Sequence, residues 1–327
     1  MTRKLNVLFL PHPAGPSMFK PWGEDVVAAI GDRHQLRILD YSQPIRSQFE
    51  AVDVVIDHGG AAGTREMADA AAGTVRLWQI LGTGLDHFDL EYWRAKGIPV
   101  ANCPGPFSAV ALAECAMMFI LMLTRHYPDA LKNLQNEVLY QPAGIELEGL
   151  KLGILGFGAS GSELARRARA FGMRNLAIDV RAIGEVEVRE YGLEFVGGPD
   201  DLDQVIAQSD VLSLHLHLNQ DTRYIIDSHR LSLMKPTAFL INVARGALTD
   251  EAALSAALQA GRLGGAGLDT FSQEPPDLSS PLFRLPNVIT TPHIAGVTDG
   301  TSRKRARAAA DNADRIAAGL DPLYRVD

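Results

Sequence analysis

Residues 151–179 constrain this chain more than any other segment. An apolar run, 152–155, leads into Gly156, Gly158 and Gly161. A helical pattern follows over 162–171, and a second apolar run, 176–179, ends at Asp179. A strand, a tight turn, a helix and a parallel strand are expected in that order. Each glycine has a physical task there. Gly156 permits the turn, Gly158 leaves the backbone bare to a pyrophosphate, and Gly161 lets the helix lie close to the sheet. The helix N-terminus offers unbonded N–H groups and its positive dipole end to phosphates. Asp179 stands where a carboxylate accepts ribose hydroxyls and repels a 2′-phosphate. The pattern predicts a dinucleotide site that prefers NAD to NADP, with Arg181 the one nearby group able to meet a phosphate.

The rest of the chain carries the same alternation. Residues 7–10, 52–56, 77–81 and 98–100 read as strands, with helical stretches at 22–30 and 65–72 between them. A turn-rich junction at 102–106 precedes a strongly apolar helix over 108–125, read as buried between domains. A second series of strands follows at 152–155, 176–179, 211–214, 239–242, 265–268 and 288–290. A final helix over 301–318 contains an alanine-rich stretch read as a solvated helix. With 327 residues, the chain suits two parallel α/β domains.

Net charge is −8 and no basic stripe is present, which argues against a nucleic-acid partner. Cys103 and Cys115 lie in or beside apolar segments without metal-site spacing, and read as reduced core residues. The apolar run at the N-terminus is too short for a signal-peptide core. The longest apolar stretch, 109–123, falls short of the ~20 residues of a membrane span. A cytoplasmic protein without membrane association is expected. His215 and His217 share a strand face, the geometry of two metal ligands, but no third ligand is evident and no metal is expected.

Four further segments, 231–246, 267–276, 287–296 and 82–89, make the chain resemble the D-isomer-specific 2-hydroxyacid dehydrogenase family over nearly its whole length. The resemblance implies two Rossmann-like or flavodoxin-like parallel-sheet domains with an inter-domain cleft that closes on substrate. Residues 1–103 with 296–327 would form the substrate domain and 104–295 the NAD domain. It implies an acid–base pair, His293 with Glu274, and Arg245 gripping the substrate carboxylate and carbonyl. It adds cofactor contacts at Ala159, Ser160, Leu216, His217, Thr222, Val243, Ala244 and Asp269; His217 departs from the Pro usual there. Small residues of the loop after the strand 52–56, namely Gly59, Gly60 and Ala61, would bind the substrate carboxylate, with Gly84 and Phe107 nearby. Phe107 reads equally well as a packing residue. No Arg accompanies His58 in that loop, which argues against a phosphorylated substrate. The implied activity is NAD-dependent interconversion of a small 2-keto acid and its D-2-hydroxy acid by a homodimer. An NAD-sensing, corepressor-like protein and a formate- or phosphite-type dehydrogenase are the alternatives.

Overall fold

A computed structural model describes residues 3–13, 20–59 and 63–327. The chain divides into two compact units, Met1–Phe107 with Thr298–Asp327, and Ser108–Val297. Each is built on one sheet whose strands are all parallel.

The first unit contains β1 (Asn6–Leu10), β2 (Gln35–Ile38), β3 (Val54–Asp57), β4 (Leu77–Ile80) and β5 (Val100–Ala101). Their order is β2-β1-β3-β4-β5, the flavodoxin-like winding. Strands β3 and β4 are buried along their whole length, which explains their apolar runs: a parallel sheet is covered on both faces. One face packs Leu8, Val55, Trp78 and Trp93; the other packs Val7, Phe9, Ile56 and Leu77.

The helix Asp299–Ala317 belongs to this second face. Thr298 caps it, its hydroxyl accepting from the Thr301 N–H at 3.2 Å. The alanine-rich stretch expected on a solvated face instead buries Ala306, Ala309, Ala310 and Ala313. Small side chains there let the helix lie close to the sheet. Asn312, fully buried on it, donates to Gln79 of β4 at 2.6 Å and exchanges two further bonds with the Leu323 backbone. Each buried polar group of this pair thus has a partner.

The second unit contains β6 (Lys151–Leu155), β7 (Arg174–Ile178), β8 (Leu193–Gly197), β9 (Val211–Leu214), β10 (Phe239–Asn242), β11 (Gly265–Leu268) and β12 (Val288–Thr290). The order β12-β11-β10-β9-β6-β7-β8 places the switch of winding direction between β6 and β9. Ligands of such sheets bind beyond the carboxyl ends of the strands at that switch. The apolar helix expected between domains is Ala109–Thr124; it packs within this unit on β10, β11 and the helix Ala159–Ala170. Among the described residues no single helix is long and apolar enough to cross a membrane. Cys103 and Cys115 are free, and burial pushes each thiol up to about 12.

Candidate active site

The glycine-rich turn lies where β6 passes into the helix Ala159–Ala170. Gly156 holds φ at +92°, and a Cβ on it would stand 2.5 Å from the His215 carbonyl oxygen. A Cβ on Gly161 would stand 2.2 Å from the Gly156 carbonyl, so only glycine lets this helix approach its own strand. At Gly158 the same test meets nothing within 4 Å, and no side chain caps the helix. The first-turn N–H groups of Ala159 and Ser160 therefore begin a helix whose corner is open to an anion.

Asp179 follows β7. Its carboxylate accepts from the N–H of Phe157 at 2.7 Å and of Arg181 at 3.0 Å, which fixes it beside the turn. The Arg181 guanidinium donates twice to Glu187, at 2.6 and 2.9 Å, and once to the Phe157 carbonyl at 2.8 Å. The hydrogen bond from Arg181 holds the Glu187 carboxyl below its ordinary range. A 2′-phosphate would have to compete with that pair as well as face Asp179. The arrangement suits NAD.

His215 braces the turn from the next strand. One ring nitrogen is hydrogen-bonded to the Ser160 hydroxyl and the other to Ser213, each at 3.0 Å. Burial pushes its pKa down to about 4. In the loop after β9, Leu216 packs partly buried and His217 is exposed. Thr222 donates its hydroxyl proton to the His217 carbonyl at 2.7 Å. Val243 and Ala244 are buried just beyond β10.

Arg245, Glu274 and His293 occupy the loops after β10, β11 and β12. Glu274 accepts from His293 Nδ1 at 2.7 Å and from the Phe271 N–H at 3.0 Å. Burial alone would raise the Glu274 pKa. The His293 and Phe271 hydrogen bonds, with the charges of His293 and Arg245, outweigh it and hold the carboxyl below its usual value. Both side chains remain about half accessible, 47% for His293 and 37% for Glu274, so the free Nε2 edge can meet a ligand. Asn242 sets the loop that carries Arg245, donating to the Arg245 carbonyl at 2.9 Å and accepting from the Ala244 N–H at 3.1 Å.

His293 has φ +55°, a left-handed conformation that costs a non-glycine residue energy. Asp269 holds it there. Its backbone carbonyl accepts from the His293 N–H at 2.8 Å, and its carboxylate takes Thr291 Oγ1, Ile294 N and Ala295 N at 2.6–2.8 Å. Asp269 was expected as an acceptor for the cofactor amide. Three bonds leave its carboxylate room for one more, but its visible work is to shape the His293 loop.

In the first unit, Gly59 follows β3. Its N–H donates to Asp57 at 3.2 Å and its carbonyl accepts from His87 Nε2 at 2.7 Å. His87, to which the sequence assigns no role, thus fastens this loop. Gly60 and Ala61 lie outside the described residues. Gly84 is partly buried in the loop after β4. Phe107 packs edge-on against Tyr324 at 5.5 Å.

Residues 117–295 match the family described as D-isomer specific 2-hydroxyacid dehydrogenase, NAD binding domain. The chain is 32% identical to a D-3-phosphoglycerate dehydrogenase of Methanocaldococcus jannaschii, across 91% of its own length and 56% of the relative's; it spans about half of that protein. It is 37% identical to a hydroxypyruvate reductase of Thermotoga maritima, across 77% of this chain and 81% of that one. Among solved structures, the D-lactate dehydrogenase of Aquifex aeolicus complexed with NAD and lactic acid superposes with TM-score 0.79 and 28% identity, covering 96% of each chain.

Two outcomes follow from this geometry. Gly161→Ala should weaken NADH binding at least about tenfold, because the helix must move off the turn; titration of NADH fluorescence checks it, and unchanged affinity would refute the close-approach argument. His215 stays neutral in the fold to about pH 4 while the unfolded chain takes up its proton near 6.5. Stability should therefore decline as pH falls through that window, with no contribution from His215 above it. Urea midpoints at both ends of the window should show a smaller loss in His215→Gln than in the unmodified protein.

Proposed function

The chain belongs to the D-isomer-specific 2-hydroxyacid dehydrogenase family, and we propose that it interconverts a small 2-keto acid and its D-2-hydroxy acid with NAD(H). The observation that carries this reading is the 2.7 Å bond between Glu274 and His293 Nδ1, formed under the influence of the Arg245 charge. NAD, when bound along Gly156, Gly158, Ala159, Ser160, Gly161 and Asp179, supplies the hydride acceptor of the oxidation and the hydride donor of the reduction.

The protein's own part is proton transfer and orientation. Arg245 binds the substrate carboxylate through its planar fork of donors and polarises the neighbouring carbonyl. His293 delivers a proton from Nε2 to the carbonyl oxygen as it becomes a hydroxyl, and takes it back in the oxidation. Glu274 keeps the ring in one orientation and stabilises the imidazolium that forms. Gly59, Gly60, Ala61, Gly84 and Phe107 contribute the remaining substrate contacts, and Val243, Ala244, Leu216, His217, Thr222 and Asp269 the remaining cofactor contacts. Hydroxypyruvate, glyoxylate and lactate-type acids, on which relatives act by name, are the first substrates to try.

We also assign the protein to the cytoplasm and to a homodimer. The helix Ala109–Thr124 presents Met118, Leu121 and Met122 beside Phe171, next to the ion pair of Glu114 with Arg167 at 3.3 Å. Such an apolar patch with paired charges at its rim suits a self-complementary contact. Light scattering should give twice the chain mass; a monomer would overturn this assignment.

His293→Ala should abolish NADH oxidation with every 2-keto acid while NADH still binds. Glu274→Gln should lower kcat by about a hundredfold with less effect on NADH affinity. Steady-state rates with a 2-keto acid panel check both. Normal turnover in His293→Ala would sink the mechanism, and NADH binding without turnover of any acid in the unmodified protein would point to an NAD-sensing role.

A further inference from the structure

A chain of hydrogen bonds runs behind the glycine-rich turn, from Ser213 of β9 through the His215 ring to Ser160 in the first turn of the helix Ala159–Ala170. Both links measure 3.0 Å, and that distance fits either direction of donation. Counting protons selects one. Burial keeps the His215 ring neutral down to about pH 4, so one of its nitrogens carries a proton and the other is bare. Ser213 is fully buried, and among the described residues its hydroxyl meets only His215 Nε2. A proton on Nε2 would leave the Ser213 hydroxyl proton buried with no acceptor, which a fold's interior penalises. Ser213 therefore donates to Nε2, and the ring proton sits on Nδ1.

Nδ1 then donates to the Ser160 oxygen. The Ser160 hydroxyl keeps its own proton for another acceptor, and among the described residues it has none. Ser160 is only partly buried and stands two residues after Gly158, where an added Cβ would meet nothing within 4 Å. A hydroxyl that accepts one hydrogen bond donates the next more strongly, because each bond polarises its neighbour. The turn itself brings no cation to a phosphate. Residues 156–162 contain neither lysine nor arginine, and the guanidinium of Arg181 is engaged by Glu187 and the Phe157 carbonyl.

We propose that Ser213, His215 and Ser160 form a hydrogen-bond relay that fixes the Ser160 hydroxyl as a donor to the pyrophosphate of the dinucleotide. Ser160 is then a binding residue through its side chain as well as its N–H. His215 and Ser213 are positioning residues that act through it. This rests on the reading of the turn as an NAD site, and adds to that site a donor the backbone does not provide. No covalent bond changes in the relay; only the direction of each hydrogen bond is set.

Nitrogen NMR of the histidine-labelled, ligand-free protein at neutral pH reads the tautomer, with His215→Gln assigning the signal. Nδ1 should carry the proton and Nε2 should be bare; the reverse overturns the relay. Calorimetry gives Kd for NADH and for ADP-ribose, which keeps the pyrophosphate and lacks the nicotinamide. Ser160→Ala should weaken both about tenfold, as expected for the loss of one charge-assisted hydrogen bond. Unchanged affinity, or a loss confined to NADH, overturns the assignment. Ser213→Ala lets the ring proton move to Nε2 and Ser160 turn its own proton to Nδ1, so it should weaken both ligands by a smaller factor. In the double variant Ser160→Ala/Ser213→Ala that second loss should vanish, because Ser213 acts through Ser160. Additive losses would mean that Ser213 only packs, and they overturn the relay. If neither ligand binds the unmodified protein, the NAD reading falls together with the relay. If both bind and Ser160→Ala changes neither, the relay alone falls. Should Ser213→Ala not fold, the tautomer and the Ser160→Ala affinities decide.

Discussion

Asp269 lies fully buried beyond the end of β11, and its carboxylate and carbonyl together accept four hydrogen bonds from residues 291–295. Those bonds keep His293 at a positive φ that its own backbone disfavours. The ring then meets Glu274, which is itself anchored by the Phe271 N–H just after Asp269. One buried carboxylate after β11 therefore ties the loop of His293 to the strand whose loop carries Glu274. A buried charge is tolerated only when its acceptor sites are filled, and here the filling is done by the loop that carries His293. The structural need of Asp269 and the positional need of His293 are satisfied by the same bonds.

The dinucleotide end follows the same economy of parts. Asp179 is steered by two backbone N–H groups, one from the glycine-rich turn and one from Arg181. His215 links that turn to β9 through two serine hydroxyls. Asp179 and the glycine-rich turn are thus each held by neighbours within the protein. Such preorganisation lowers the ordering cost of binding.

The sequence made the covered parts of this fold easy to read and the uncovered parts hard. Every strand buried on both faces showed as an apolar run, and the helices Trp22–Ile30 and Ala109–Thr124 emerged nearly at their true bounds. The edge strands β2 and β8 did not, because most of their residues are exposed or only partly buried and no apolar run marks them. In the site, the glycine turn with Asp179 was legible because its physics is local. The pairing of Glu274 with His293 was legible through motif resemblance. Roles that arise from distant contact were not: His87 on Gly59 and His215 on Ser160 join segments far apart in the chain. The buried face of the alanine-rich helix was missed for a related reason, since only the sheet it covers reveals which side is inside.

That helix has one more consequence. The second unit is a single continuous stretch, Ser108–Val297, whereas the first is closed by the helix Asp299–Ala317. Its sheet has Val7, Phe9, Ile56 and Leu77 waiting for Ala309, Ala310 and Ala313. On a ribosome, where the chain emerges from its amino end, the part made first cannot bury this face until the helix Asp299–Ala317, made after the whole second unit, arrives. The second unit by then has every residue it needs. The order of synthesis and the order of completion are reversed, and the half-covered sheet is the surface a nascent chain must shield in the interval.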